Sequence, residues 1–156
     1  MHRRTALALG ATALIVPRAF AHHGWSSFDQ DRPIYLEGKA LKVTWGNPHV
    51  EVDLQLASDL RLPSDLAQRQ LPTQAANVDR AKLLSSARLP TRRDAVWEIE
   101  FAPLTRMQAW NVPEIKSGDV IGVLGFTLVG EKGEAVLRAE YLFAGGKTYG
   151  MRSAPA

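Results

Sequence analysis

The run Trp45-Gly46-Asn47-Pro48-His49-Val50-Glu51-Val52-Asp53-Leu54-Gln55-Leu56 leaves the backbone few choices. Val50, Val52, Leu54 and Leu56 fall on one side, and His49, Glu51, Asp53 and Gln55 on the other. That is the period of a half-buried strand. Pro48 has no N–H to give a ladder, so it belongs at a strand's first position or on an edge. It also disfavours helical backbone at Asn47, which makes the corner stiff and presents the His49 ring at the rim of a sheet.

The rest of the chain supplies partners for that strand. Residues 34–45 predict a first strand whose apolar phase slips near Gly38, the signature of a bulge that bends a sheet toward closure. The alternating run at 49–57 is the second. Residues 95–102 predict a third, with Trp97, Ile99 and Phe101 inward and Glu98 and Glu100 outward. Pro103 suits a first helical position, and Leu104, Met107 and Trp110 follow at a spacing of three, so a short helix is expected there. Residues 120–129 and 135–143 predict a fourth and a fifth strand, the latter with Ala135, Leu137, Ala139, Tyr141 and Phe143 on its inner face. Gly145-Gly146 allows one last turn into 147–151. Three strands, a helix and two strands is the order of an OB-like five-stranded Greek-key barrel. A half-open β-sandwich is the competing architecture.

Residues 58–94 read differently. They lack Gly and aromatic residues, carry Pro63, Pro72 and Pro90, and hold seven basic residues against four acidic. A loop of this length is unusual inside a compact domain. We expect a long surface insertion after the second strand, partly helical or disordered, with a helix at 77–84 capped by Asn77. It reads as a tolerated insertion, or as a lid or a docking segment for a protein partner.

Residues 1–21 have the make-up of a cleaved export signal. Arg3-Arg4 precedes an apolar run of about a dozen residues, and Ala19-Phe20-Ala21 is a small-x-small cleavage site. The run is shorter than the roughly 20 residues a transmembrane helix needs. The paired arginines are a loose match to twin-arginine export. The expected mature chain is a single periplasmic or secreted domain, 22–156. The whole sequence has 19 basic and 16 acidic residues, and the signal holds three arginines and no acid. The mature chain is then 16 against 16, so net charge argues for neither nucleic acid nor an anionic membrane. Cysteine is absent, which excludes thiolate metal sites and thiol catalysis. Ser26 and Ser27 lack the glycine pattern of a nucleophile elbow, so a hydrolase is not indicated.

These elements resemble a family of small exported bacterial proteins of unknown function. Its members open the mature chain with His-His, run a strand into a Trp-x-Asn-Pro-His corner, and have a Gly-Asp turn and a last strand ending near Phe-x-Gly-Gly. Here these are His22-His23, Trp45-Gly46-Asn47-Pro48-His49, Gly118-Asp119 and Phe143-Ala144-Gly145-Gly146. The resemblance implies export and a small β domain, and it brings no catalytic residues.

Cleavage after Ala21 would give His22 a free α-amine beside its ring nitrogen, a chelate for one metal ion. With His49 as a third nitrogen donor, the set suits Cu(II), and His23 or Glu51 would complete the shell or orient His49. The bland alternative is a frayed His22-His23 terminus and a His49 that caps a turn. Glu51, Asp53, Glu98 and Glu100 on outward positions could bind a hard cation or do acid–base work. Outward acids on a barrel are more often simply solvated. Trp25 and Trp45 are rim residues that could stack a ligand, whereas Trp97 and Tyr141 are in core phase. The expected function is a binding or carrier module for a small ligand, most simply a copper-type ion, and not a catalyst. The alternatives are a metal-free module docking on an envelope protein or glycan, and a redox enzyme built on the same copper site.

Overall fold

A computed structural model describes residues 24–156. Strand β1 (Ile34–Thr44) pairs antiparallel with β2 (Glu51–Leu56) and with β4 (Val120–Thr127). On its other side β2 pairs with β3 (Val96–Glu100), and β4 pairs with β5 (Val136–Ala144). The ring closes where β3 and β5 run parallel, Glu98 opposite Val136 and Glu100 opposite Arg138. Five strands thus form a closed mixed barrel in the order β1-β2-β3-β5-β4, and β6 (Lys147–Gly150) extends β5 through a tight hairpin. This is the OB-like barrel the sequence predicts, not a half-open sandwich. Its helix α2 (Leu104–Ala109) lies between β3 and β4.

The alternation of β2 and β3 sets the interior. Val50, Val52, Leu54, Trp97, Ile99 and Phe101 are all buried in one cluster with Leu36, Val123 and Leu137. Each such side chain contributes about 1.5–3 kcal/mol by leaving water. The bulge in β1 falls at Leu41, between Ala40 and Lys42, and turns Leu41 outward. Gly38 has a different reason to be there. A Cβ on it would stand 2.0 Å from the Gln55 carbonyl oxygen, so only glycine lets β1 and β2 approach this closely.

Strand β5 departs from the expected phase. Leu124 faces Tyr141 while Gly125 faces Ala139, so Glu140 is an extra residue in the ladder. An inserted residue flips the strand's faces beyond it. Leu137 and Ala139 therefore point into the barrel, as does Leu142, whereas Tyr141 and Phe143 point out.

Those outward residues belong to a second apolar cluster, covered by the segment joining β2 to β3. That flap contains a 3-10 turn at Leu66–Gln68 and helix α1 (Arg80–Ser86), and it buries Leu66, Leu71, Leu83 and Leu84 against Tyr35, Leu124, Phe126 and Tyr141. The insertion is partly helical, and it is a packed layer. Asp79, not Asn77, caps α1, its carboxylate accepting from the Lys82 N–H at 2.9 Å. Ends of the flap are tied down by polar contacts. Glu131 accepts from the N–H groups of Thr91 and Arg92 and pairs with Arg32 at 2.8 Å. Thr73 and Ala75 share backbone hydrogen bonds with Ala156 and Ala154.

Candidate functional site

The corner that delivers His49 is held from both sides. The Asn47–Pro48 bond is cis, and the Asn47 side chain accepts a hydrogen bond from the Leu104 N–H at 3.2 Å, tying the corner to the start of α2. One residue past His49, Val50 exchanges backbone hydrogen bonds with Ala102 and Phe101. The imidazole is therefore fixed at its base, and it emerges half-buried on the outer face of the barrel.

Its neighbour there is Arg138. A guanidinium nitrogen of Arg138 lies 3.5 Å from His49 Nε2. A guanidinium can only donate, so Nε2 is the accepting nitrogen in this contact and a neutral ring carries its proton on Nδ1. Arg138 also donates to Glu100 Oε2 at 3.1 Å, with both side chains about nine-tenths buried. Burial lowers the Arg138 pKa, the Glu100 carboxylate works against that, and the nearby charges of Arg106 and Arg152 lower it further. Glu100 is thus not the solvated outward acid of the sequence reading. It is buried because the parallel neighbour β5 sets Arg138 directly beside it.

Across β2, β3 and β5 the register makes two outward rows. Glu51, Glu100 and Arg138 form one, and Asp53, Glu98 and Val136 form the next. Glu98 is surrounded by its own kind. Burial first, then the charges of Glu51, Glu100, Glu134 and Asp53, raise its pKa above the usual carboxylate range. The face beside His49 is negative except where Arg138 stands.

Trp25 of the lead-in meets the same Arg138. Two guanidiniums stand over its ring, Arg138 at 4.8 Å and Arg152 at 3.9 Å from the centroid, and the ring meets Phe126 edge-to-face at 6.4 Å. Stacked arginine on tryptophan is a favourable and directional contact. The rim role expected of Trp25 is thus filled by arginines of the protein itself.

The four residues expected to hold copper divide into two groups. Glu51 opens β2, and His49 lies two residues before it in the corner. His22 and His23 lie outside the described residues. Among the described residues, no group of three or more His, Cys, Asp or Glu side chains has a metal-binding arrangement. Arg138 and Glu140 are marked in the sequence as a lone Arg and a lone Glu in the apolar run 135–143, whereas nothing local marks Arg152. An open groove of about 520 Å³ runs between the flap and the β5–β6 hairpin, and His49 is not among its lining residues. Arg69 in that groove is already bidentate with Asp65 and stacked over Phe143.

Residues 11–60 match the model of a family of unknown function, DUF6152. The match runs through β1 and the His49 corner into β2, and ends just inside the flap. No curated protein and no solved structure matches the chain. Among the described residues, no helix is long and apolar enough to cross a membrane.

Proposed function

We propose that this protein is an exported, periplasmic module that binds one copper ion through a mature N-terminal His22 and through His49. Cleavage after Ala21 supplies the α-amine and ring of His22, while His23 and Glu51 complete or support the shell. The observation that carries this reading is the position of Trp25. Its ring stacks on Arg138, and Arg138 touches His49. Only Gly24 and His23 separate Trp25 from His22. A three-residue step spans up to roughly 10 Å when fully extended, a length compatible with ligation by both His22 and His49.

The electrostatics favour a cation on this face and also set a condition. Glu51, Asp53 and Glu98 give the outer rows a negative potential, and Glu100 compensates Arg138. Ligation through either ring nitrogen disturbs the Arg138 contact, at Nε2 directly and at Nδ1 because its proton must move to Nε2. A d9 ion with a preference for tetragonal nitrogen ligands matches a set of α-amine and two imidazoles better than a hard cation does.

Calorimetric titration of Cu(II) into protein beginning at His22 tests the proposal. One ion per chain with an affinity below about micromolar, roughly −8 kcal/mol, is expected, with marked weakening in His49→Ala. Binding that ignores His49 would return the protein to the metal-free reading, a module docking on an envelope protein or glycan.

A further inference from the structure

Glu140 is buried where neither apolar cluster gives it a reason to be. It is the extra residue of the β5 bulge, and its relative exposure is 0%. A carboxylate this deep needs partners, since burying an unpaired charge is costly. Arg152 supplies Nε at 2.8 Å and a terminal nitrogen at 2.7 Å to Oε2, and Gln74 of the flap donates to Oε1 at 3.0 Å. One buried acid thus joins the flap to the segment that follows β6.

That segment, residues 151–156, holds the flap on one side and the end of α2 on the other. The Ser153 N–H donates to Gln74 Oε1 at 2.9 Å, and its Oγ accepts from the Ala76 N–H at 2.8 Å. Its carbonyl accepts from the Trp110 indole N–H at 2.8 Å. Beyond it, the Ala75 N–H donates to the Ala154 carbonyl and the Ala156 N–H to the Thr73 carbonyl, which makes a short antiparallel ribbon. A Cβ on Gly150 would stand 2.6 Å from both Gln74 and Trp110, so glycine lets flap and helix end close together there.

The flap has few other backbone ties. It leaves the barrel at Ala57, whose N–H donates to the Glu37 carbonyl, and Leu60 still packs on the barrel's own cluster. It rejoins at Arg88, which exchanges backbone hydrogen bonds with Pro33 and Tyr35. Among the described residues, the backbone-to-backbone hydrogen bonds that leave 61–87 run to Ala154 and Ala156. The remaining hold is by side chains. Leu66, Leu71, Leu83 and Leu84 lie on the outer cluster, and the Tyr141 hydroxyl donates to the Pro72 carbonyl at 3.1 Å. The five-stranded ring closes without any of them.

We infer that residues 151–156 are a latch on the flap. When the latch lets go, 61–87 lifts from the outer face as one unit, hinged near Ala57 and Arg88, and the barrel stays closed. Opening uncovers Tyr35, Leu124, Phe126 and Tyr141. A two-stranded ribbon is marginal by itself, and folds open in cooperative units of this size. The latch is independent of metal binding.

Amide hydrogen exchange on wild type, on a deletion of residues 153–156 and on an Ala75→Cys, Ala154→Cys double variant tests it. The deletion removes the ribbon and every Ser153 contact, yet keeps Arg152 on Glu140. Leu66 and Leu83 amides should then exchange about tenfold faster, as the loss of one or two net hydrogen bonds implies, with Val52 and Ile99 within about twofold of wild type. Ala75 and Ala154 face each other in the ribbon, a pairing whose Cα separation of about 5.5 Å suits a disulfide. The chain has no cysteine of its own, so reductant reverses that cross-link cleanly. Oxidation should slow the same flap amides about tenfold against the reduced protein and leave the barrel amides alone. Should the deletion fail to fold, the cysteine pair decides, since it removes no contact. Flap and barrel amides that change together would make them one cooperative unit, and flap exchange that ignores the cross-link would make the segment a passive ribbon. Either result overturns the latch.

Discussion

The barrel has two outer faces, and the chain treats them in opposite ways. Over β1, β4 and β5 the outward residues are Tyr35, Leu124, Phe126 and Tyr141, and the flap lays Leu66, Leu71, Leu83 and Leu84 across them. Over β2 and β3 the outward residues are Glu51, Asp53, Glu98 and Glu100, with Arg138 of β5 beside them. One face has become a second core, and the other is an acidic surface with a single buried ion pair. The difference shows what the flap is for structurally. A small barrel with apolar side chains on both sides of β4 needs a cover, and the segment between β2 and β3 supplies it. At the edge of the acidic face Arg138 meets both His49 and the ring of Trp25 from the lead-in.

Substitutions can break this contrast in order of expected effect. Trp97 fills the barrel interior and is fully buried, so Trp97→Ala should cost about 3–5 kcal/mol in denaturant unfolding and disturb both faces together. Gly38→Ala drives a methyl into the Gln55 carbonyl and should cost about 3 kcal/mol, read in the same way. Leu83→Ala removes part of the cover and nothing from the barrel interior, so a loss of about 2 kcal/mol is expected. If the flap is a true second core, its amides then exchange faster while those of β2 and β3 keep their protection.

The smallest effect has the opposite sign. Burial and the neighbouring acids raise the Glu98 pKa in the fold, so folding binds its proton more tightly than the unfolded chain does. Its contribution is favourable below the ordinary carboxylate pKa and is lost as pH rises through the raised value. Glu98→Gln should therefore stabilise the protein at pH 7, by a few tenths of a kcal/mol for a group this open to solvent. The gain should shrink in high salt and vanish below about pH 4. A thermal unfolding series across pH and salt checks the sign directly.

Much of this architecture was legible in the chain. Val50, Val52 and Leu54 opposite Trp97 and Ile99 are a period-two signal that tertiary structure did not alter. The Pro103 start of α2 and the hairpin glycines were equally local. What could not be read has one physical source, contacts set by closure. The β5 bulge hides in a run where both faces are apolar, so alternation gives no warning that Tyr141 and Phe143 reverse. Glu100 is buried by Arg138, a neighbour that exists only because β3 and β5 meet in parallel. The flap's leucines carried no clear period, since they answer to the outer face of β4 and not to a helix of their own. At the site, the stiff corner at His49 was visible. The Trp25 clamp was not, because its two arginines come from β5 and from the residues after β6.

The measurement closest to the central claim is Cu(II) spin resonance on two proteins that differ only at the N-terminus. One begins at His22, and the other carries an extra Met ahead of it, which removes the chelating α-amine from that position. The account predicts nitrogen hyperfine structure from three donors in the first, and loss of one or more of those couplings with much weaker binding in the second. Identical spectra and affinities from the two proteins would contradict it.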